Sequence, residues 1–259
     1  MSNPTLLLLV WAMSAIVMTV TWAVSMRVAN VGYVDVAWAG TMAAAALLIG
    51  ALAGGTELSR GLVALFGSVW GARLSLYLLH RVLHEPEDGR YQSLRQRWGN
   101  SPAKFFAFFQ MQALVVAMFA LPFAAAAARH VDPAPWLIAV AACIWLVSVG
   151  GESLADRQLA AFRKDPANRG KTCRRGLWSW SRHPNYFFEW LHWFAYVFLA
   201  VGSGLFWLSL AGPVLMLLFL YRVSGIPWTE AQSLRSRGDD YRRYQDQVSP
   251  FLPLPPRRG

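Results

Sequence analysis

Ionisable side chains interrupt the apolar stretches of this sequence at a few places only, and their spacing is helical. A charge at the centre of a bilayer costs about 2.5–3.5 kcal/mol on insertion scales, so each such residue needs a partner or a task. Asp35 stands in Asn30-Val-Gly-Tyr-Val-Asp-Val-Ala-Trp38, roughly one helical turn into an apolar run. There it is short of water and suited to donate a proton, or else to pair with an arginine such as Arg73. Arg73, Tyr77, His80 and Arg81 fall at i, i+4, i+7 and i+8 and share one helical face. The plainer account is that His80 and Arg81 snorkel to the interface while Tyr77 joins an aromatic belt. Asn185, Glu189, His192 and Tyr196, at i, i+4, i+7 and i+11, lie within about 60° of one another on a helix. They suit a polar ligand, or a hydrogen-bonded seam between helices. Glu152 and Asp156 are at i, i+4, and Arg163 follows Asp156 by seven, so acid and base share a face if the helix continues that far.

Membrane helices must hold these groups. Hydrophobic residues make up 56% of the chain and gather in long uncharged runs, and a hydrocarbon layer of about 30 Å takes roughly 20 apolar residues in helix. Runs of that length lie near residues 5–26, 31–54, 61–79, 106–127, 135–153, 186–202 and 204–221. Period-two alternation is absent from them, and a helix satisfies its own backbone in lipid. The expected fold class is therefore all-α: a polytopic membrane protein of seven transmembrane helices, one domain over residues 1–259. No basic residue precedes the first run, which exceeds the apolar core of a secretory signal and is expected to remain as an anchor.

Cys143 lies in an apolar run and Cys173 in a basic loop, which argues against a disulfide and against a zinc site, so no metal is expected. The sequence has no glycine-rich dinucleotide fingerprint after a strand, no phosphate loop and no His-Glu-x-x-His. Any nucleotide is thus expected to be held by side chains between helices.

The formal charge is +10, and its placement decides what it means. Twenty-one of the 24 Lys and Arg fall on one side of the apolar runs, Arg60 and Arg129 on the other, and Arg73 within the third run. The positive-inside rule then puts the N-terminus outside and the C-terminus in the cytoplasm. The cytoplasmic segments are loops at about 80–104 and 155–185 and a tail from 222 to 259. This pattern favours contact with membrane lipids over nucleic acid. The second loop also mixes eight basic residues with Asp156, Asp165 and Asn168, a combination suited to a phosphate-bearing ligand.

Four motifs carry a family resemblance: Val34-Asp35-Val36-Ala37-Trp38, Glu87-Asp88-Gly89-Arg90-Tyr91, Ala155-Asp156-Arg157-Gln158-Leu159, and the long stretch from Gly176 through Arg182-His183-Pro184-Asn185-Tyr186 to Glu189. With them the sequence resembles the steroid 5-alpha-reductase C-terminal family, specifically its bacterial branch long described as a domain of unknown function. The resemblance implies a seven-helix membrane reductase that uses NADPH to saturate the carbon–carbon double bond of a conjugated ketone, such as a 3-oxo-Δ4 steroid. Hydride goes to the β-carbon, an acid polarises the carbonyl, and water is kept away.

Carried over by position, the resemblance makes Asp35 the acid near the ketone and Tyr77 its tyrosine partner, with Tyr33 and Tyr91 as alternatives. It implies cofactor contacts from Asp156, Arg163, Asn185 and Glu189. By chemistry Arg163, Lys164, Arg174, Arg175 or Arg182 suit phosphates, and Asn185 and Glu189 suit ribose or carboxamide. His183, Tyr186 and His192 belong to the same stretch. The tail departs from the family's basic, histidine-rich segment, leaving Arg222 and Tyr241 as its contributions. The resemblance further implies a monomer in the inner membrane of a bacterium, its active site facing the cytoplasm and its small lipophilic substrate arriving from the bilayer.

Arg182-His183-Pro184-x-Tyr186 is also similar to the motif of the isoprenylcysteine carboxyl and phospholipid methyltransferases, which bind S-adenosylmethionine. Asp35 and the cation-rich loop favour reduction, since methyl transfer has no obvious need of either. A transporter would want a polar path to both sides, and the outer loops are short and almost uncharged.

Overall fold

The computed structural model describes residues 2–223 and 225–257; Arg258, one of the tail cations counted above, lies outside them. The chain forms helices α1 (Asn3–Arg27), α2 (Tyr33–Leu52), α3 (Glu57–His84), α4 (Gly89–Trp98), α5 (Pro102–Phe119), α6 (Leu121–Ala127), α7 (Pro135–Lys164), α8 (Pro184–Ala200), α9 (Phe206–Ser209), α10 (Ala211–Leu218), α11 (Ile226–Arg237) and α12 (Asp239–Gln247). Among the described residues there is no strand.

Six helical stretches among the described residues are long and apolar enough to cross a membrane: Asn3–Arg27, Tyr33–Leu52, Glu57–His84, Pro102–Ala127, Pro135–Lys164 and Phe206–Arg237. The run expected at 186–202 is α8, which has 17 residues, or about 25 Å at 1.5 Å per residue. It is short against a layer of about 30 Å. Outward-facing Leu8, Ile16, Leu65, Leu76 and Leu146 remain more than half exposed, as a helix that is apolar on every side requires when lipid surrounds it.

The chain divides into two compact units, Met1–Ile138 with Tyr196–Gly212, and Ala139–Ala195 with Pro213–Gly259. In the first, α2 and α3 form the most extensive helix pair, and α1 packs on α5 and α2. Their close approach follows from small residues. A Cβ at Gly71 would stand 2.8 Å from both the Ala39 carbonyl and the Ala43 nitrogen, and one at Gly67 would collide with Ala46. Trp38 wedges beside this seam, edge-on to Trp70 at 6.2 Å and to Phe119 at 5.6 Å. Pro122 cannot donate the hydrogen bond that would continue the helical ladder, so α5 gives way to α6 at Ala120. Arg60 and Arg129 both donate to backbone carbonyls, Arg60 to Gly50 and Ala51 and Arg129 to Val131 and Asp132.

In the second unit α7 continues to Lys164, beyond the expected run, so Glu152, Asp156 and Arg163 do ride on one helix. The tail, expected as a polar extension, forms α11 and α12. Tyr241, Tyr244 and Val248 make a small core with Leu234. Phe251 continues it, touching Phe187 and Trp190 of α8 and Tyr221 with ring centroids 5.6–5.8 Å apart.

Candidate functional site

Asp35 lies in the first turn of α2, because a tight connection after α1 delays the start of that helix to Tyr33. In that connection Ala29 adopts φ of 54° and the Asn30 side chain accepts from the Gly32 N–H at 2.9 Å. Asp35 is accordingly nearer the helix end than its depth in the apolar run suggests, and its side chain is 33% exposed.

The group that meets it comes from Glu87-Asp88-Gly89-Arg90-Tyr91. Glu87 accepts from the Val31 N–H at 2.7 Å and from Arg95 at 2.9 Å, which ties the segment to the head of α2. Asp88 caps α4 by accepting from the Arg90 N–H at 2.9 Å and also takes Arg90 Nε at 3.0 Å. Burial alone would raise the Asp88 carboxyl, but Arg90 holds it below the usual carboxylate range. With α4 so anchored, the Tyr91 hydroxyl donates to Asp35 Oδ1 at 2.6 Å and Arg90 Nη2 to Oδ2 at 3.1 Å. The Arg90 guanidinium also sits 5.2 Å from the centre of the Tyr91 ring.

Burial, and then the adjacent carboxylate, push the Tyr91 phenol well above its ordinary value. It therefore stays a neutral hydrogen-bond donor at any physiological pH. A shallow, solvent-open cleft lies beside Asp35 and Arg90, with Asn30, Leu78, Arg81 and Val82 among its lining.

Asp35 thus pairs with Arg90, where Arg73 was the expected arginine, and the tyrosine that donates to it is Tyr91, one of the two alternatives to Tyr77. On α3, Arg81 turns to Glu85 at 3.5 Å and the rings of His80 and His84 lie 4.2 Å apart. Helical spacing could not find Tyr91, since it is 56 residues from Asp35. The usable signal was the acid-glycine start of α4.

The second group of polar residues lies where α7 ends and α8 begins. Asp156 is 5% exposed and accepts from Asn185 at 3.5 Å, and Glu152 is buried one turn earlier. Glu189 and buried His192 follow Asn185 along α8. Arg163, Lys164, Arg169, Lys171 and Arg175 are all exposed around this end of α7 and the loop after it.

Other expected phosphate ligands are occupied. Arg174 pairs with Asp240 at 3.1 Å. Arg182 donates to Glu230 at 2.6 Å and to the Gln245 and Val248 carbonyls at 2.8 and 2.9 Å, closing the end of α12. His183 stacks on Tyr186 at 5.3 Å, and Tyr186 meets Thr229 at 3.3 Å. Tyr241 is buried in the tail's core with its hydroxyl 3.4 Å from Glu230, while Arg222 is exposed.

Sequence inspection missed Glu230, Asp240 and Gln245, which tie the tail to this loop. The alternation of Tyr241, Tyr244 and Val248 at i, i+3 and i+7 was the available sign that the tail is a packed helix.

The first unit therefore offers a buried phenol backed by a carboxylate and a guanidinium. The second offers a buried carboxylate with an amide, and exposed cations on the same stretch of chain. A family model described as a protein of unknown function (DUF1295) matches residues 21–248. No curated protein and no solved structure matches the chain.

Proposed function

This chain belongs to the DUF1295 family, and we propose that it is a membrane-embedded, NADPH-dependent reductase that saturates the double bond of a conjugated ketone. The resemblance to the steroid 5-alpha-reductase family suggested the reaction, and the hydrogen bond from Tyr91 to Asp35 carries it. An enone accepts hydride at its β-carbon only as negative charge moves onto the carbonyl oxygen. A fixed donor at that oxygen, in a site short of water, stabilises the developing enolate. Tyr91 is such a donor.

A phenol has one hydrogen, so donating to a ketone means turning it away from Asp35. Arg90 stays on the carboxylate at 3.1 Å and offsets its charge meanwhile. A proton delivered to the α-carbon completes the saturation.

The residues of the second unit fit a dinucleotide by the chemistry of their donors. Arg163, Lys164, Arg169, Lys171 and Arg175 are exposed cations, and by their chemistry they suit the phosphates. Asp156, Asn185 and Glu189 offer carboxylates and an amide to ribose hydroxyls or a carboxamide. NADPH bound there would supply the hydride. Arg174 and Arg182 serve instead to hold the loop and tail together.

In the same proposal α8 crosses as the seventh span, near the minimum of about 17 residues. The N-terminus is outside and the basic loops are cytoplasmic, in the inner membrane of a bacterium. That orientation is supported by the placement of 21 of the 24 Lys and Arg on one side of the apolar runs, against Arg60 and Arg129 on the other.

The test is thermal stability of the detergent-purified protein with NADPH, NADH or S-adenosylmethionine. NADPH is expected to raise the melting temperature most. Stabilisation by S-adenosylmethionine alone would replace the reductase with a methyltransferase.

A further inference from the structure

The C-terminal tail makes one carboxylate the junction of three elements. Glu230 of α11 is 16% exposed and accepts from Arg182 Nε at 2.6 Å, with His183 Nε2 at 3.4 Å; both belong to the loop that enters α8. The same oxygen, Oε1, accepts from the Tyr241 hydroxyl at 3.4 Å, and Oε2 accepts from Gln245 at 2.9 Å, both on α12. The Arg182 backbone N–H adds a bond to the Ser249 carbonyl at 2.8 Å, and Thr229 reaches Tyr186 from the same turn of α11.

We infer that Glu230 is a positioning residue: through Arg182 and His183 it sets the direction in which α8 starts, and so where Asn185 and Glu189 stand. Asn185 is two residues beyond His183, and no residue of the tail contacts it directly among the bonds above. α8 begins at Pro184, whose ring fixes its own φ, so the freedom to change the direction of entry lies in the residues just before it. Here those residues are Arg182 and His183, and both end on the same carboxylate.

A carboxylate is also suited to accept from a guanidinium, an amide and a phenol together while placing its charge beside an imidazole. Its replacement would take the acceptor from Nε of the 10%-exposed Arg182 and the neighbouring anion from the 3%-exposed His183. The tail is then part of the site's architecture. The inference rests on α8 seating the cofactor, but its first readouts do not.

The experiment uses the full chain in detergent with Glu230→Gln, which keeps shape, and Glu230→Ala, which does not. His183 is faced by Glu230 from α11, by Arg182 beside it and by the Tyr186 ring. Burial lowers its pKa and Glu230 opposes that. In Glu230→Gln the His183 titration, followed by carbon NMR with labelled histidine, is expected to move further down. Amide exchange over residues 183–189 should quicken at least tenfold in both variants, with α2 and α3 unchanged, and NADPH should bind about tenfold more weakly.

If His183 instead moves up towards its ordinary value and exchange quickens across all of α11 and α12, Glu230 merely holds the tail together and the inference fails. It fails equally if titration and exchange stay as in the parent protein. Absence of NADPH binding by the parent protein would sink the reductase assignment alone, because the titration and exchange readouts would still decide the role of Glu230.

Discussion

The Tyr91 hydroxyl donates to the Asp35 carboxylate at 2.6 Å, joining the first turn of α4 to the first turn of α2. If this phenol polarises the ketone, Tyr91→Phe lowers turnover of an enone by roughly 10²–10³-fold and leaves the NADPH-induced thermal shift intact. Tyr77→Phe is the comparison. A larger loss from Tyr77→Phe would move the donor role to α3.

Asp35→Asn keeps the size of the side chain but removes the charge that orients Tyr91 and Arg90. Turnover should fall while NADPH affinity is spared, a separation that steady-state kinetics and a cofactor titration read independently. Unchanged turnover would remove Asp35 from the chemistry and leave it a structural partner of Arg90.

Glu189→Ala has the opposite signature. It should weaken NADPH at least tenfold, so that a concentration 100 times the parent Kd no longer stabilises by about 2.7 kcal/mol. Unaltered protection would exclude Glu189 from the cofactor contacts.

Stability at alkaline pH should fall through the tail. Burial, and then Glu230, push Tyr241 up to about 12, against roughly 10 in an unfolded chain. The folded state thus keeps a proton that the unfolded state releases. The resulting stability is fully present below about pH 10 and is lost as pH rises towards 12, by about 2–3 kcal/mol in all. Tyr244, whose hydroxyl donates to the Trp178 carbonyl at 2.5 Å, is shifted in the same direction by burial. Chemical unfolding at pH 9 and pH 11 measures the slope, and Tyr241→Phe should flatten it.

The α2–α3 seam makes a purely steric prediction. Gly71→Val places atoms against the backbone of Ala39 and Ala43, which cannot move aside as a side chain can, at a cost of about 1–3 kcal/mol. Gly61→Ala on the same helix meets nothing within 4 Å, and removing a mid-helix glycine should stabilise by up to about 1 kcal/mol. Melting temperatures moving in opposite directions would verify the seam. Equal tolerance of both changes would contradict it.

Several elements were legible because their cause is local. The apolar runs announce α1, α2, α3, α5 and α7 directly, whereas the continuation of α7 to Lys164, past its apolar part, was only the condition under which Glu152, Asp156 and Arg163 would share a face. The α11–α12 tail was harder to see, because its packing depends on Glu230, Asp240 and Tyr244, each bonded to residues 48 to 68 positions away.

The sequence by itself determined that this chain is helical and built for a lipid surround, since length, hydropathy and backbone self-satisfaction act along a single stretch of chain. It also marked Asp35 and the Asn185–Glu189 face as residues needing a purpose. Only the tertiary structure decided that Tyr91 and Arg90 reach Asp35, and that Arg182 faces the tail. Such pairings depend on how separate segments dock, and helical spacing relates only residues on the same helix.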